Sequence, residues 1–277
     1  MRKRIKKGNL FSRFSVTLWL IIINIALFFV FYPFLLSKNG LIGTIAIIPA
    51  NIFAGSALWT FITSMFAHAG PFHLFVNMFT LFFLGSFSEK IIGRRRFLWL
   101  FLIAGIVGSV AYVLFAKFGS FFSFGENVFG GMNMPAVGAS GALFGLLGLL
   151  AVLVPWHSVY LIAGPLLIII LQFIIGPFLS GSVGSVFYFA TTAMIFAMIF
   201  AMFSPNPKFR KISVPVRMPL WIAPIVAIIP LVIISFFVKL PIGNTAHFGG
   251  LLVGLGYGFY LRRKYKRKIT MLQRYIR

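Results

Sequence analysis

Long apolar runs separated by short basic clusters are the feature that most constrains what this chain can fold into. A bilayer core is crossed by about 20 residues of helix, so an apolar run of about 18 residues or more is a candidate span. Eight runs meet this description, at 15–36, 73–91, 97–116, 138–154, 158–177, 183–203, 219–238 and 245–261. The sequence therefore predicts an all-α polytopic membrane protein whose membrane domain covers residues 15–261.

A ninth apolar run, at 44–66, is interrupted by proline, asparagine and glycine. The distribution of basic residues decides how to interpret it. With eight spans and a cytoplasmic N-terminus, all of the 25 Lys and Arg residues except Lys38, Lys117 and Lys239 lie on the cytoplasmic side, as the positive-inside rule requires. We therefore expect 37–72 to be an external loop that lies largely in the membrane interface.

This orientation makes the basic segments 1–14 and 262–277 cytoplasmic tails, and we expect the protein in the cell membrane. The net charge of +23 comes from short clusters next to helix ends. Such clusters orient membrane helices and attract anionic lipid headgroups, so we expect contact with the bilayer and not with nucleic acid. The chain has no cysteine, which excludes a disulfide, a thiolate nucleophile and a cysteine-ligated metal.

The acidic residues are Glu89 and Glu126, and the sequence contains no aspartate. An aspartyl protease needs two aspartates that share a proton, and neither glutamate belongs to a His-Glu-x-x-His zinc motif. Ion-coupled transporters usually place carboxylates near the bilayer midplane, whereas Glu89 lies near a helix end and Glu126 in an external loop. The sequence therefore predicts no metal site and no cofactor, and it argues against a transporter.

Two of the four histidines are candidates for a site. His73 and Asn77 are four residues apart, which places both on one face of a predicted helix near its outer end. His247 opens the last span. We expect His68, in the external loop, and His157, in a short turn, to have no catalytic role.

Ser140 and His247 each begin an apolar span within a row of glycines. The first row is "GASGALFG" (138–145), which continues to a glycine at 148, and the second is "AHFGGLLVG" (246–254), which continues to a glycine at 258. Small residues at helical spacing allow two helices to approach closely. If the two rows face each other, the serine hydroxyl and the imidazole meet at the same membrane depth.

A serine next to a histidine, without a carboxylate to orient the imidazole, is a nucleophile–base dyad. The imidazole of His247 would take the proton of Ser140 as its oxygen attacks a carbonyl, and would return it to the leaving amine. The oxyanion that forms needs hydrogen-bond donors already in place. Asn77, His73 and the backbone N–H of Ser140 are the candidates.

These residues resemble the rhomboid family of intramembrane serine proteases, from Trp59 to about Arg263. The segment "WTFITSMFAHAGPFHLFVNM" (59–78) is similar to the family's external loop and second helix. "GASGALFG" matches the family's Gly-x-Ser-Gly motif, and "AHFGGLLVG" matches its His-x-x-Gly-x-x-x-Gly motif.

The resemblance implies a nucleophile at Ser140, a base at His247, oxyanion stabilisation by His73 and Asn77, and an approach shaped by Gly138. It also implies that the loop 37–72 is embedded in the membrane and that "KLPIGNTA" (239–246) caps the site.

The chain departs from the family pattern at two places. In the family the position four residues after the serine is often a tyrosine that packs on the catalytic histidine and so shapes the site; here it is Phe144, which keeps the ring and loses the hydroxyl. The family core has six helices, and "PVRMPLWIAPIVAI" (215–228) resembles its fifth. Residues 158–214 are then an insertion of two helices, which we expect to pack outside the core without contributing a catalytic group. We expect the helix at 219–238 to lie beside the second helix as the substrate gate.

The function that the sequence predicts is cleavage of single-span membrane proteins within or near their transmembrane segments. The alternative is a catalytically silent relative that binds membrane helices without cutting them. A channel or transporter would explain the glycine-rich helices, but it would not explain a serine and a histidine together with Asn77.

Overall fold

The computed structural model describes residues 14–36, 41–237 and 243–275. Within these residues the chain is mostly helical, with one two-stranded sheet. The predicted tail 1–14, apart from its last residue, and residues 239–242 of the predicted cap lie outside the described residues. The longer elements, in chain order, are α1 Val16–Leu36, α2 Pro71–Ile92, α3 Arg94–Gly119, α4 Ser140–Leu153, β1 Ser158–Ile162, α5 Ala163–Ile175, α6 Gly181–Ala201, β2 Pro215–Pro219, α7 Ala223–Ser235, α8 Asn244–Lys264 and α9 Lys266–Tyr275.

Four of the described helices, α1, α2, α3 and α6, are long and apolar enough to cross a membrane. Three shorter apolar helices, α4, α5 and α7, accompany them. Helix α8 is as long as α1, but it contains five glycines and ends in three basic residues. The chain is therefore a multi-pass membrane protein.

Helix α4 is the centre of the bundle, because almost every one of its side chains is buried against α3 and α8. Glycines make this close packing possible. A Cβ atom built on Gly250 or Gly254 of α8 would overlap the carbonyl oxygen of Gly141 or Gly145 of α4. The two glycine rows therefore face each other at backbone contact, with leucines of α4, such as the fully buried Leu146, filling the space around them.

Glu89 joins the end of α2 to the beginning of α1. Its carboxylate accepts hydrogen bonds from the backbone N–H groups of Val16 and Thr17, at 2.9 and 2.8 Å, and from the Thr17 hydroxyl at 2.7 Å. These N–H groups belong to the first turn of α1, where no intrahelical acceptor exists and where the helix dipole favours a negative charge. Arg94, 3.7 Å away, partly balances the charge of Glu89, which is only 8% exposed. This carboxylate therefore fixes α1 to the rest of the bundle.

Residues 41–70 form four short helical turns and not one long helix, since the longest turn, Pro49–Phe53, has five residues. The segment is tied to the loop that precedes α4. Ile47 and Ala136 exchange two backbone hydrogen bonds, at 3.0 and 2.9 Å, and the N–H of Gly138 donates to the carbonyl of Ser64 at 2.8 Å. These bonds hold the loop that leads into Ser140.

The region predicted as a two-helix insertion, 158–214, begins with a β-strand and is therefore not all helical. Its first five residues form β1, which pairs antiparallel with β2, so that Ser158 lies opposite Pro219 and Ile162 opposite Pro215. The predicted helix at 158–177 therefore begins only at Ala163. The short apolar segment "SVYLI", with two β-branched residues and a tyrosine, suits a strand as well as a helix, which is why apolarity alone did not separate the two.

One face of α2 carries a row of four phenylalanines, at 72, 75, 79 and 83. The helix that lies along this face is α6 and not α7. Helix α7 packs against α4, α8 and the short helix Gly125–Phe129. The expectation that 219–238 lies beside the second helix is therefore wrong for the face of α2 that carries these phenylalanines, although Leu220 shares an apolar cluster with Leu84 and Phe87 near the end of α2. Ring centroids are 5.0–6.4 Å apart in this phenylalanine seam, which consists of Phe72, Phe75, Phe79 and Phe83 on one side and Phe196, Phe200 and Phe203 on the other.

Candidate active site

Ser140 and His247 are in hydrogen-bond contact. Ser140 is the first residue of α4, and His247 lies in the first turn of α8, where the paired glycine rows bring the two helix ends together. The distance between Ser140 Oγ and His247 Nε2 is 2.8 Å, although the two residues are 107 positions apart in the sequence. This is the geometry in which a serine hydroxyl donates to a neutral imidazole.

The imidazole of His247 is held by packing and not by a carboxylate. The ring of Phe144 stacks on it, with centroids 4.3 Å apart and planes inclined by 17°. Its other nitrogen, Nδ1, is buried and has no hydrogen-bond partner within the described part of the chain. When Ser140 donates to Nε2, the ring hydrogen is on Nδ1. In a triad a third polar group orients the imidazole through this nitrogen, whereas here Phe144 and the surrounding helices orient the ring.

His73 lies beside the serine loop. The backbone N–H of Ala69 donates to His73 Nδ1 at 3.4 Å, which leaves the hydrogen of the neutral ring on Nε2. A Cβ atom built on Gly138 would lie 3.0 Å from His73 Nε2 and 3.8 Å from Ser140 Oγ. The donor nitrogen of His73 therefore faces the space in front of the serine.

Gly138 shapes this space by having no side chain. Its φ of +127° lies in the region that favours glycine, and a Cβ atom there would approach His73 Cε1 to 2.9 Å. Any other residue would strain the backbone and fill the gap between the histidine ring and Ser140. The open gap is where a substrate carbonyl would have to come.

Asn77 is buried and lies one turn after His73 on α2, as predicted from their spacing. Its amide nitrogen donates to the carbonyl oxygen of His73 at 2.9 Å. This bond uses one of the two amide hydrogens, so the second remains for another acceptor. This hydrogen bond is directed along the helix that Asn77 shares with His73.

His68 is a site neighbour that sequence reasoning did not select. It is fully buried, and its ring meets that of His73 edge to face, with centroids 5.3 Å apart. Burial, together with the nearby His73, lowers the pKa of His68 to about 3, so this ring is neutral at physiological pH. The spacing of the two histidines in "HAGPFH", across the turn that starts α2, was the signal that pointed to this contact.

The fourth histidine lies away from the site, since His157 packs against Phe87 near the end of α2 with ring centroids 5.1 Å apart. No group of three or more His, Cys, Asp or Glu side chains in the described ranges is arranged to hold a metal ion. Among the described residues, the site brings together one hydroxyl, one base and nearby donors. The start of α4 adds to the donors, because the first N–H groups of a helix have no intrahelical acceptor and carry its positive dipole end.

Comparison with known proteins gives a consistent result. The family model of the Rhomboid domain matches residues 55–191 and 178–264, which together are more than half of the chain. The chain is 34% identical over 100 residues to the rhomboid protease GluP of Bacillus subtilis, a match that covers 36% of this chain and 17% of GluP.

Two further relatives differ in what their names say about activity. The putative rhomboid protease YdcA of Bacillus subtilis is 33% identical over 95 residues, 34% of this chain and 41% of YdcA. The inactive RHOMBOID-like protein 8 of Arabidopsis thaliana is 33% identical over 91 residues, 33% of this chain and 22% of that protein. In each case the match spans less than half of the relative's length.

Proposed function

The chain belongs to the rhomboid family, and from this premise we propose that it is an intramembrane serine protease that cleaves single-span membrane proteins within or near their transmembrane segments. The observation that carries the proposal is the 2.8 Å contact between Ser140 Oγ and His247 Nε2. In an apolar bundle, a hydroxyl that donates to a buried neutral imidazole is arranged for proton transfer.

The proposed reaction has two halves. Ser140 Oγ attacks the scissile carbonyl carbon while His247 Nε2 takes the hydroxyl proton, and the carbonyl oxygen becomes an oxyanion. His247 then gives the proton to the departing amine, the C–N bond breaks, and an ester of Ser140 remains. A water molecule, deprotonated by the same nitrogen, hydrolyses the ester and restores the hydroxyl.

The oxyanion is stabilised by donors that are in place before the reaction. The backbone N–H of Ser140 lies at the positive end of α4. The Nε2–H of His73 faces the same space, and the free amide hydrogen of Asn77 is one helical turn away. Donors that need little rearrangement lower the barrier more effectively than donors in water.

The substrates that fit this site are transmembrane helices that unwind easily near the membrane surface. A regular helix uses its carbonyl groups in its own hydrogen bonds, so Ser140 cannot attack it until a segment is extended. No cofactor or metal takes part in this chemistry.

The architecture that we propose is a six-helix core interrupted by two additional helices, α5 and α6, which makes eight spans with both termini in the cytoplasm and the protein in the cell membrane. The two segments matched by the family model meet within 178–191, inside the expected insertion. The distribution of Lys and Arg supports the orientation, and it makes anionic lipid headgroups the expected neighbours of the basic ends.

The alternative is a catalytically silent relative that binds membrane helices. Inactive proteins exist among the relatives, so family membership alone does not decide between the two. Silent relatives usually lack the nucleophile or the base, whereas this chain has Ser140 and His247 within hydrogen-bond distance. This observation favours the protease.

The test is cleavage of single-span membrane proteins by the purified protein in liposomes. We expect wild type and the matched control Ser120→Ala to cleave, since Ser120 is an exposed residue whose hydroxyl bonds only to its own turn. Ser140→Ala and His247→Ala should be inactive, and the double variant no worse than either, because residues that act as a unit are not additive. Cleavage by Ser140→Ala would contradict the mechanism, and binding without cleavage by wild type would favour the alternative.

A further inference from the structure

A cavity of about 750 Å³ opens between α3 and α8, away from Ser140. Gly108, which meets α8 next to His247, is thirteen residues further along α3 than Arg95, or roughly 20 Å at 1.5 Å per residue. The cavity is thus at the opposite end of the bundle from the candidate active site. Its lining consists of Ile92, Gly93, Arg94, Arg95, Arg96, Trp99, Leu100, Ile103, Val253 and Tyr257.

One end of this cavity is positively charged. Arg95 is exposed and makes no hydrogen bond or ion pair within the described part of the chain, and Arg96 is oriented by the Tyr265 hydroxyl, which accepts its hydrogen bond at 2.9 Å. The guanidinium of Arg96 also lies over the Tyr265 ring, 5.1 Å from its centroid. Two arginines therefore lie at one end of the cavity, and one of them, Arg96, is held in place by Tyr265.

The protein cannot neutralise these arginines itself. The whole sequence contains only two acidic residues. Glu89 is already engaged by the first turn of α1 and by Arg94. Glu126 lies on the short helix Gly125–Phe129, which contacts the opposite end of α3. An anion for Arg95 and Arg96 must come from outside the chain.

The rest of the cavity is apolar. Arg95, Trp99 and Ile103 are spaced four residues apart and follow one face of α3, so the surface changes from charged to apolar along the helix. Trp99 is 56% exposed and Ile103 is 47% exposed, and Val253 of α8 lies across the groove from them. Tryptophan at this position is typical of the level of lipid headgroups.

We propose that this groove binds one anionic phospholipid. The phosphate lies against Arg95 and Arg96, because a guanidinium binds phosphate oxygens with two parallel hydrogen bonds. An acyl chain runs along Trp99 and Ile103 towards the middle of α3. Charge complementarity selects the anionic headgroup, and the apolar half selects a lipid over a free phosphate ion. The site does not depend on the proposed proteolysis.

The test is native mass spectrometry of the protein released from nanodiscs that contain phosphatidylcholine and phosphatidylglycerol. We expect wild type to retain one phosphatidylglycerol in preference to phosphatidylcholine. Arg95→Gln should lower its affinity by at least about tenfold, because the charge-assisted hydrogen bonds of this guanidinium to the phosphate are lost. The matched control Arg210→Gln removes the same charge from an exposed short helix and should bind as wild type does.

A second variant tests the acyl-chain half without changing charge. Trp99→Ala should weaken phosphatidylglycerol binding, and inorganic phosphate alone should not displace the lipid. Equal retention of the two lipids by wild type, or equal losses in Arg95→Gln and Arg210→Gln, would overturn the proposal. Displacement by inorganic phosphate together with unchanged binding by Trp99→Ala would instead show a free-anion site.

Discussion

Gly108 offers a way to move His247 without changing any group that takes part in the proposed chemistry. A Cβ atom on Gly108 would lie 2.7 Å from the carbonyl oxygen of Ala246, the residue immediately before His247. Ordinary Cβ contacts begin at about 3.4 Å, so Gly108→Ala needs about 0.7 Å of additional space. The obstacle is backbone, and no flexible side chain can move aside to supply it.

The expected consequence is a shift of the first turn of α8 relative to α4. A displacement of about 0.7 Å is enough to take the 2.8 Å contact between Ser140 and His247 to the limit of a hydrogen bond. Misplacement of a reacting group by about 1 Å can cost on the order of 10²-fold in rate. We also expect overpacking to lower the free energy of unfolding by about 1–3 kcal/mol.

The assay is turnover of a membrane substrate in liposomes, with thermal unfolding measured on the same preparation. Gly256→Ala on α8 is the matched control, because nothing lies within 4 Å of a Cβ atom at that position. Gly256→Ala should cleave as wild type does, and Gly108→Ala should cleave on the order of 10²-fold more slowly while it remains folded. Full activity of Gly108→Ala would refute the claim that this backbone contact positions the imidazole.

Three further changes test other parts of the structure. Asn77→Ala should slow turnover on the order of 10²–10³-fold without abolishing it, because the backbone donor at Ser140 remains; an unchanged rate would place the oxyanion elsewhere. Turnover should fall as the pH is lowered, since a protonated His247 cannot accept the serine proton, and it should not respond to metal chelators; inhibition that zinc reverses would contradict this. Glu89→Gln should lower the free energy of unfolding by about 2 kcal/mol, because charge-assisted hydrogen bonds to the start of α1 are weakened; unchanged thermal unfolding would show that this contact is dispensable.

The contact between Ser140 and His247 followed from local patterns in the sequence. Each residue stood at the beginning of an apolar span within a row of glycines, and rows of this kind pack against each other. The structure adds the geometry that spacing does not give, namely that the Phe144 ring stacks on the imidazole at 4.3 Å between centroids and that Nδ1 of His247 is buried without a hydrogen-bond partner in the described ranges. That geometry depends on how α4 and α8 pack against each other.

The neighbour of α2 could not be derived from apolarity. Helices α6 and α7 are both apolar all round, so neither has a face that selects a partner. The discriminating signal was a matching row of rings, since 72, 75, 79 and 83 share one face of α2 and 196, 200 and 203 share one face of the segment that begins with α6. The pairing of β1 with β2 has no such signal, because the two strands are separated by more than fifty residues.

The sequence also did not indicate that Glu89 caps another helix. A glutamate near a helix end, beside Lys90, resembles a solvated residue. Its burial follows from the position of α1, whose unsatisfied N–H groups come from more than seventy residues earlier in the chain. Long-range capping of this kind becomes visible only when the helices are assembled.

The most direct test of the central claim is covalent trapping of the activated serine by a fluorophosphonate, read by mass spectrometry of the intact protein and its peptides. The Ser140 oxygen should displace fluoride and form one phosphonate ester, while His247 takes the proton. We predict one such group at Ser140 in wild type and in Ser120→Ala, and none in His247→Ala. Failure of folded wild type to react, or equal reaction of wild type and His247→Ala, would contradict a nucleophile activated by this histidine.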